Sequence, residues 1–98
     1  MSLSPSQKRY LRGLCHHLKP VVMVGGKGLS ESVLKEIDRA LLDHELIKVR
    51  VSSEDRDDKR AAIDALLQGS GAELVQRIGH IVCLYRRHPK KPQLALPS

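Results

Sequence analysis

Apolar residues recur near the start of the chain at helical spacing. Tyr10, Leu11, Leu14, Cys15 and Leu18 form one stripe, and Lys8, Arg9 and Arg12 fall on the other side. The spacing predicts a helix with a defined start, Ser4 as the cap, Pro5 in the first turn and Gln7 closing a capping box. Lys19-Pro20 stops it, because proline pushes the residue before it out of helical backbone. Residues 21–24, an unbroken Val-Val-Met-Val run, then read as a short buried strand entering a glycine turn. Ser30 caps a second helix, with Leu29 placed to staple on Leu34 and with Val33, Leu34, Ile37 and Leu41 as its buried face, fading near His44. Residues 46–51 alternate with period two, so they predict a strand whose Lys48 and Arg50 share the exposed face. Asp55, Asp57 and Asp58 crowd the first turn of a third helix and complement its dipole. Ala62, Ile63, Leu66 and Leu67 form the buried face of that helix, and Gly69 and Gly71 end it. Residues 73–78 and 81–85 are two strands about Gly79-His80, with the glycine placed for a type II′ turn.

The order α-β-α-β-α-β-β predicts an α/β fold, a four-stranded mixed sheet with helices packed on it. One domain covers residues 1–87, and a basic, proline-containing tail over 88–98 reads as extended. With 98 residues and 41% apolar content, the chain holds one core without metal or disulfide staples. No run approaches the ~20 apolar residues of a membrane span, and no apolar secretory stretch opens the chain. Cys15 and Cys83, in an apolar helix and an apolar strand, read as buried free thiols, which points to the cytoplasm. Cys15-His16-His17, with His44, His80 and His88 elsewhere, has no metal-ligand spacing, so neither a metal nor another cofactor is expected. No nucleophile and base stand in a pattern that predicts catalysis.

Charge changes the picture. The chain carries 17 Lys and Arg against 11 Asp and Glu, a net charge of +6. Residues 1–28 hold Lys8, Arg9, Arg12, Lys19 and Lys27 with no acid. Residues 74–98 hold Arg77, Arg86, Arg87, Lys90 and Lys91, again with no acid. Every acid lies in the middle, where seven basic residues against eleven acids leave a net of −4. Two basic ends that meet in space would concentrate a polyanion.

The candidate chemistry sits where the first strand meets the second helix, at Val24-Gly25-Gly26-Lys27-Gly28-Leu29-Ser30. A turn there needs glycine whatever its function, but three glycines in four residues around a lysine exceed that need. Glycine lets a partner approach the backbone closely, and the helix N-terminus just beyond offers unpaired N–H groups and positive dipole charge. The spacing is neither a Walker loop nor a dinucleotide fingerprint. What remains is G-x-x-G, which some RNA-binding folds use to clamp the sugar–phosphate backbone.

Together, L-K-P-V-V-M-V-G-G-K-G-L-S-E-S-V-L-K-E-I, H-E-L-I-K-V-R-V and I-G-H-I-V-C-L-Y-R resemble the bacterial YhbY family, stand-alone members of the CRM (chloroplast RNA splicing and ribosome maturation) domain. The resemblance runs from Leu3 to about Pro97. It implies a fold like the C-terminal domain of the third bacterial translation initiation factor. It also implies RNA binding, with the bacterial proteins associated with large-subunit ribosomal precursors and plant relatives serving intron splicing. The family's loop carries over to Gly25, Gly26, Lys27 and Gly28, and Lys19 and Arg86 match basic positions of its pattern. The expected RNA site is therefore the loop bordered by Lys8, Arg9, Arg12, Lys19, Arg86 and Arg87, on a monomer that is not an enzyme. With Tyr10 and Tyr85 both expected to pack, and no Phe or Trp, base stacking has no platform; backbone and shape of structured RNA are the expected target. Two rival readings are a small enzyme acting on a phosphorylated metabolite and a basic DNA-binding protein. The outward Glu and Asp of the second helix argue against the second.

Overall fold

Three serine or aspartate caps and one glycine turn set the element boundaries. Helix α1 (Pro5–Cys15) opens at Ser4, whose hydroxyl accepts from the Gln7 N–H at 3.2 Å while the Gln7 side chain accepts from the Ser4 N–H at 3.0 Å. The computed structural model describes residues 3–25, 29–53 and 55–97. Within these, β1 (Pro20–Val24), α2 (Glu31–His44), β2 (Leu46–Val51), α3 (Arg56–Ser70), β3 (Glu73–Ile78) and β4 (Ile81–Tyr85) follow α1 in the predicted order. α1 ends before the proline stop, so Leu18 lies outside it and is exposed; Tyr10 is exposed too, whereas Tyr85 is buried as expected. Gly71 ends α3 at φ +70 and Gly79 turns the β3–β4 hairpin at φ +57, backbone that side chains with a Cβ disfavour.

The sheet order is β1-β2-β4-β3. β1 and β2 are parallel, with α2 as their crossover, and the other pairs are antiparallel. Strand alternation divides the core into two layers. Val22, Val24, Ile47, Val49, Val51, Val82 and Leu84 face Ile37 and Leu41 of α2 and Ile63 and Leu66 of α3. Leu46, Val75, Cys83 and Tyr85 face Leu11 and Cys15 of α1 on the other side. β1 is therefore half-buried, with Val21 and Met23 exposed on the α1 side. In β3 a bulge between Leu74 and Gln76 breaks the alternation, so that Gln76 pairs with Cys83, Arg77 with Val82 and Ile78 with Ile81.

Two expectations are corrected. Cys15 and Cys83 are buried but not free; they form a disulfide between Cα atoms 6.6 Å apart. The last turn of α1 lies on the face of β4 that carries Cys83, which brings the two thiols together. The tail is likewise not an extended appendage. Leu94 and Leu96 pack on the α1 layer, and the Gln7 side chain donates to the Pro97 carbonyl at 3.0 Å. Its anchor is Glu45, fully buried between α2 and β2 at φ +63, whose carboxylate accepts from the His88, Gln93 and Leu94 N–H groups. Burial pushes the Glu45 carboxyl up, but those three backbone donors and the nearby His88 outweigh it and hold it below the ordinary range. Among the described residues no helix is long and apolar enough to cross a membrane.

Candidate nucleic-acid interface

Parallel pairing of β1 and β2 brings their C-terminal ends side by side. Val24 pairs with Val51, the Ser52 N–H donates to the Val24 carbonyl at 2.9 Å, and the Val51 N–H donates to the His80 carbonyl at 2.7 Å. Gly25, the segment after β2 and the Gly79-His80 turn therefore share one end of the sheet. Each strand feeds a helix, so α2 and α3 both begin there. Their caps are Ser30, accepting from the Val33 N–H at 3.2 Å, and Asp55, accepting from the Asp57 and Asp58 N–H groups at 2.8 and 3.1 Å. Two positive dipole ends thus face the outlet of the parallel strands, where open α/β sheets hold ligands. Among the described residues, a Cβ added at Gly25 would meet no atom within 4 Å, so the backbone at this exposed position is open to a partner. Gly26, Lys27 and Gly28, the remainder of the expected loop, lie outside the described residues.

The basic residues expected around that loop are dispersed. Antiparallel pairing sets Tyr85, at the end of β4, opposite Leu46, at the start of β2, so Arg86 and Arg87 leave the sheet at its far end. Lys19 precedes Pro20, the first residue of β1, at that same far end. The six residues of β2 separate the two ends by about 17 Å. Lys8, Arg9 and Arg12 are exposed on α1, across the sheet from α2 and α3. Arg86 is moreover engaged. Its Nη1 donates to Asp38 Oδ1 and to the Ser70 carbonyl, both at 2.7 Å, and its Nη2 donates to the Asp38 carbonyl at 3.1 Å. It ties α2 to the end of α3, which is not the arrangement of a guanidinium waiting for phosphate.

A different basic group gathers at the end where Gly25 lies. Arg56, Lys59 and Arg60 of α3 meet Arg77 of β3 and His80 of the turn around a cleft of about 680 Å³. Lys59 is buried, and its ammonium lies 3.0 Å from His80 Nδ1. The ammonium can only donate, so Nδ1 accepts and the ring hydrogen sits on Nε2. These residues are hidden in a window count, because three of them belong to the acidic middle of the chain. The available signal is their spacing: residues 56, 59 and 60 fall on one helix face, while Asp55 is occupied in capping.

Residues 3–86 match the CRS1/YhbY (CRM) domain. A Haemophilus influenzae protein named RNA-binding protein is 55% identical over 85 residues, 87% of this chain and 86% of that one. A Bacillus subtilis protein, probable RNA-binding protein YqeI, is 41% identical over 95 residues, 97% and 99% of the two chains. The solution structure of a hypothetical protein from Staphylococcus aureus superposes with a TM-score of 0.82 at 38% identity, over 98% of this chain and 100% of that one. With the element order, the mixed sheet and the match over nearly its whole length, the chain belongs to the CRS1/YhbY (CRM) domain family.

Proposed function

We propose that the protein binds structured RNA by its sugar–phosphate backbone, at the end of the sheet where β1 and β2 finish and α2 and α3 begin. The observation that carries this reading is the convergence there of two helix N-termini with the exposed backbone of Gly25. The names of the relatives favour RNA among polyanions. Residues 25–28 clamp a phosphate, with Lys27 adding charge. Lys8, Arg9, Arg12, Lys19 and Arg87 contribute to the +6 field that draws the strand in, at longer range. The task is assembly of large ribosomal subunit precursors, performed by a monomer as a binder without turnover. Assignment to the cytoplasm rests on that RNA, since cysteines bonded to each other carry no argument for it.

Competition of a labelled RNA hairpin against duplex DNA and mononucleotides tests the ligand class, and RNA should compete best. With on the order of 4–6 phosphate contacts, log K against log[salt] should slope between about −3 and −5. Gly28→Asp adds an anion and a side chain where the backbone must approach, and should abolish binding. A variant that keeps its circular dichroism spectrum and binds normally refutes the clamp. Crosslinking in cells, with the attached RNA sequenced, tests the ribosomal assignment.

A further inference from the structure

The cleft beside α3 is built to hold an anion and contains little to neutralise it. Among the described residues, Arg56, Lys59, Arg60 and Arg77 line it against one carboxylate, Asp57. Asp55 is adjacent, but its carboxylate accepts from two backbone N–H groups of the helix it caps. Among the described residues the one ion pair is Arg86 with Asp38, and Arg56, Arg60 and Arg77 make neither an ion pair nor a hydrogen bond through their guanidinium groups. All three are exposed. A lysine as buried as Lys59 ordinarily has a carboxylate for company. Its described partner is a neutral ring nitrogen, so its charge stays in the cleft, and the bond fixes the imidazole with Nε2–H as a further donor.

The bulge in β3 completes the group. Under strict alternation from Leu74, which shares the α3 side with Leu84, Arg77 would fall on the α1 side. The extra residue at Val75-Gln76 reverses the order, and Arg77 pairs with Val82, a residue of the α3-side core. The cost is Ile78, turned to the other face and 65% exposed. A bulge that exposes an isoleucine and delivers an arginine into a cleft of three other cations is the kind that re-aims a side chain at a site.

We propose that Arg56, Arg60, Arg77 and His80 hold a second stretch of RNA backbone, so that the bound strand runs from the glycine loop across the sheet end to the β3–β4 hairpin. The proposal rests on the RNA-binding reading above and adds the path of the strand. β1 and β3 are three strand spacings apart, about 14 Å, which a stacked strand covers in roughly four nucleotides. Guanidinium groups from a helix and a strand on two sides of a cleft suit the bidentate recognition of phosphate oxygens.

Arg60→Ala combined with Arg77→Ala, titrated with a labelled RNA hairpin at several salt concentrations, tests it. Affinity should fall about tenfold or more, and the salt slope should become shallower by about 1.5, because two phosphate contacts no longer release counterions. Both side chains are exposed, so the melting curve should match that of the parent protein. Amide NMR of the parent protein provides a measurement that needs no variant, and the Arg60, Gly79 and His80 signals should move as the hairpin is added. If the double variant keeps affinity and slope while Gly28→Asp loses binding, the second contact is wrong and the glycine-loop reading stands. If neither variant changes binding, both fall. If only the cleft variant weakens it, the second contact stands and the clamp does not. Cleft amides that respond to inorganic phosphate but not to the hairpin also overturn the proposal.

Discussion

Replacing Arg86 with alanine separates an RNA contact from a structural tie. The side chain is 21% exposed and donates to one carboxylate oxygen and two carbonyls. Asp38 is 55% exposed, so its ion pair with Arg86 contributes no more than about 1 kcal/mol. Ser70 is the last residue of α3, and its carbonyl, at the negative end of the helix, lacks a partner within that helix. A charged donor to such a part-buried carbonyl adds about 1–1.5 kcal/mol. Arg86→Ala should therefore cost about 2 kcal/mol, a fall of roughly 10 °C in Tm for a chain of this length. Asp38→Ala leaves both carbonyls in place and should cost about half as much or less. Calorimetry or thermal circular dichroism on the parent and the two variants measures this. RNA affinity, taken at a temperature where all three are fully folded, should agree within about twofold, well under the tenfold that 1.4 kcal/mol represents. An Arg86→Ala protein that melts like the parent but loses RNA tenfold refutes the tie and returns this guanidinium to the phosphate.

Three further outcomes follow from the fold. The Glu45 carboxyl is held below its ordinary range, so its stabilisation is complete above the unfolded carboxylate range, near pH 4, and is lost as pH falls through the lowered folded value. Denaturant unfolding across that range should show Glu45→Gln less stable at neutral pH and flatter on the acid side; parallel curves count against the anchor. Reducing the Cys15–Cys83 bond, which spans 68 residues, should cost about 4 kcal/mol on the chain-entropy account. Unfolding with and without reductant measures it, and thiol labelling of the unreduced, denatured protein would show that the bond is absent. Gly71→Ala forces a Cβ into φ +70 and should cost about 1 kcal/mol in the same unfolding assay, whereas no loss would mean that the αL cap is not required.

Features written over a few neighbouring residues were legible in the chain. The capping box at Ser4 and Gln7, the cap at Ser30, the alternation of 46–51 and the glycine hairpin all appear where local spacing puts them, whereas Asp55, expected inside the first turn of α3, is its cap. Features that depend on partners far away were not. Nothing local to Cys15 says that α1 lies over Cys83, and nothing local to Arg86 reveals Asp38, 48 residues earlier. The tail looks extended by composition because its acceptor, Glu45, is more than 40 residues upstream. The candidate site suffers most from this. Counting charge along the chain groups Arg86 with Arg77, whereas the antiparallel hairpin sends them to opposite ends of the sheet and the bulge sets which face Arg77 takes.

Glu45 makes the tail a latch whose polar catch gathers three amides, with the Gln7–Pro97 bond as a second hold nearer the end. Three amides share one carboxylate, while the Glu45 carbonyl also receives the Arg86 N–H at 2.9 Å. Such bonds do not open one at a time, because an acceptor that swings away abandons all of its donors together. Hydrogen exchange at His88, Gln93 and Leu94 should therefore proceed at one common opening free energy, below that of the core strands. When the latch opens it uncovers the apolar surface beneath Leu94 and Leu96. Extensions or truncations made at the C-terminus consequently act on the hydrophobic layer under α1, however distant they look in sequence.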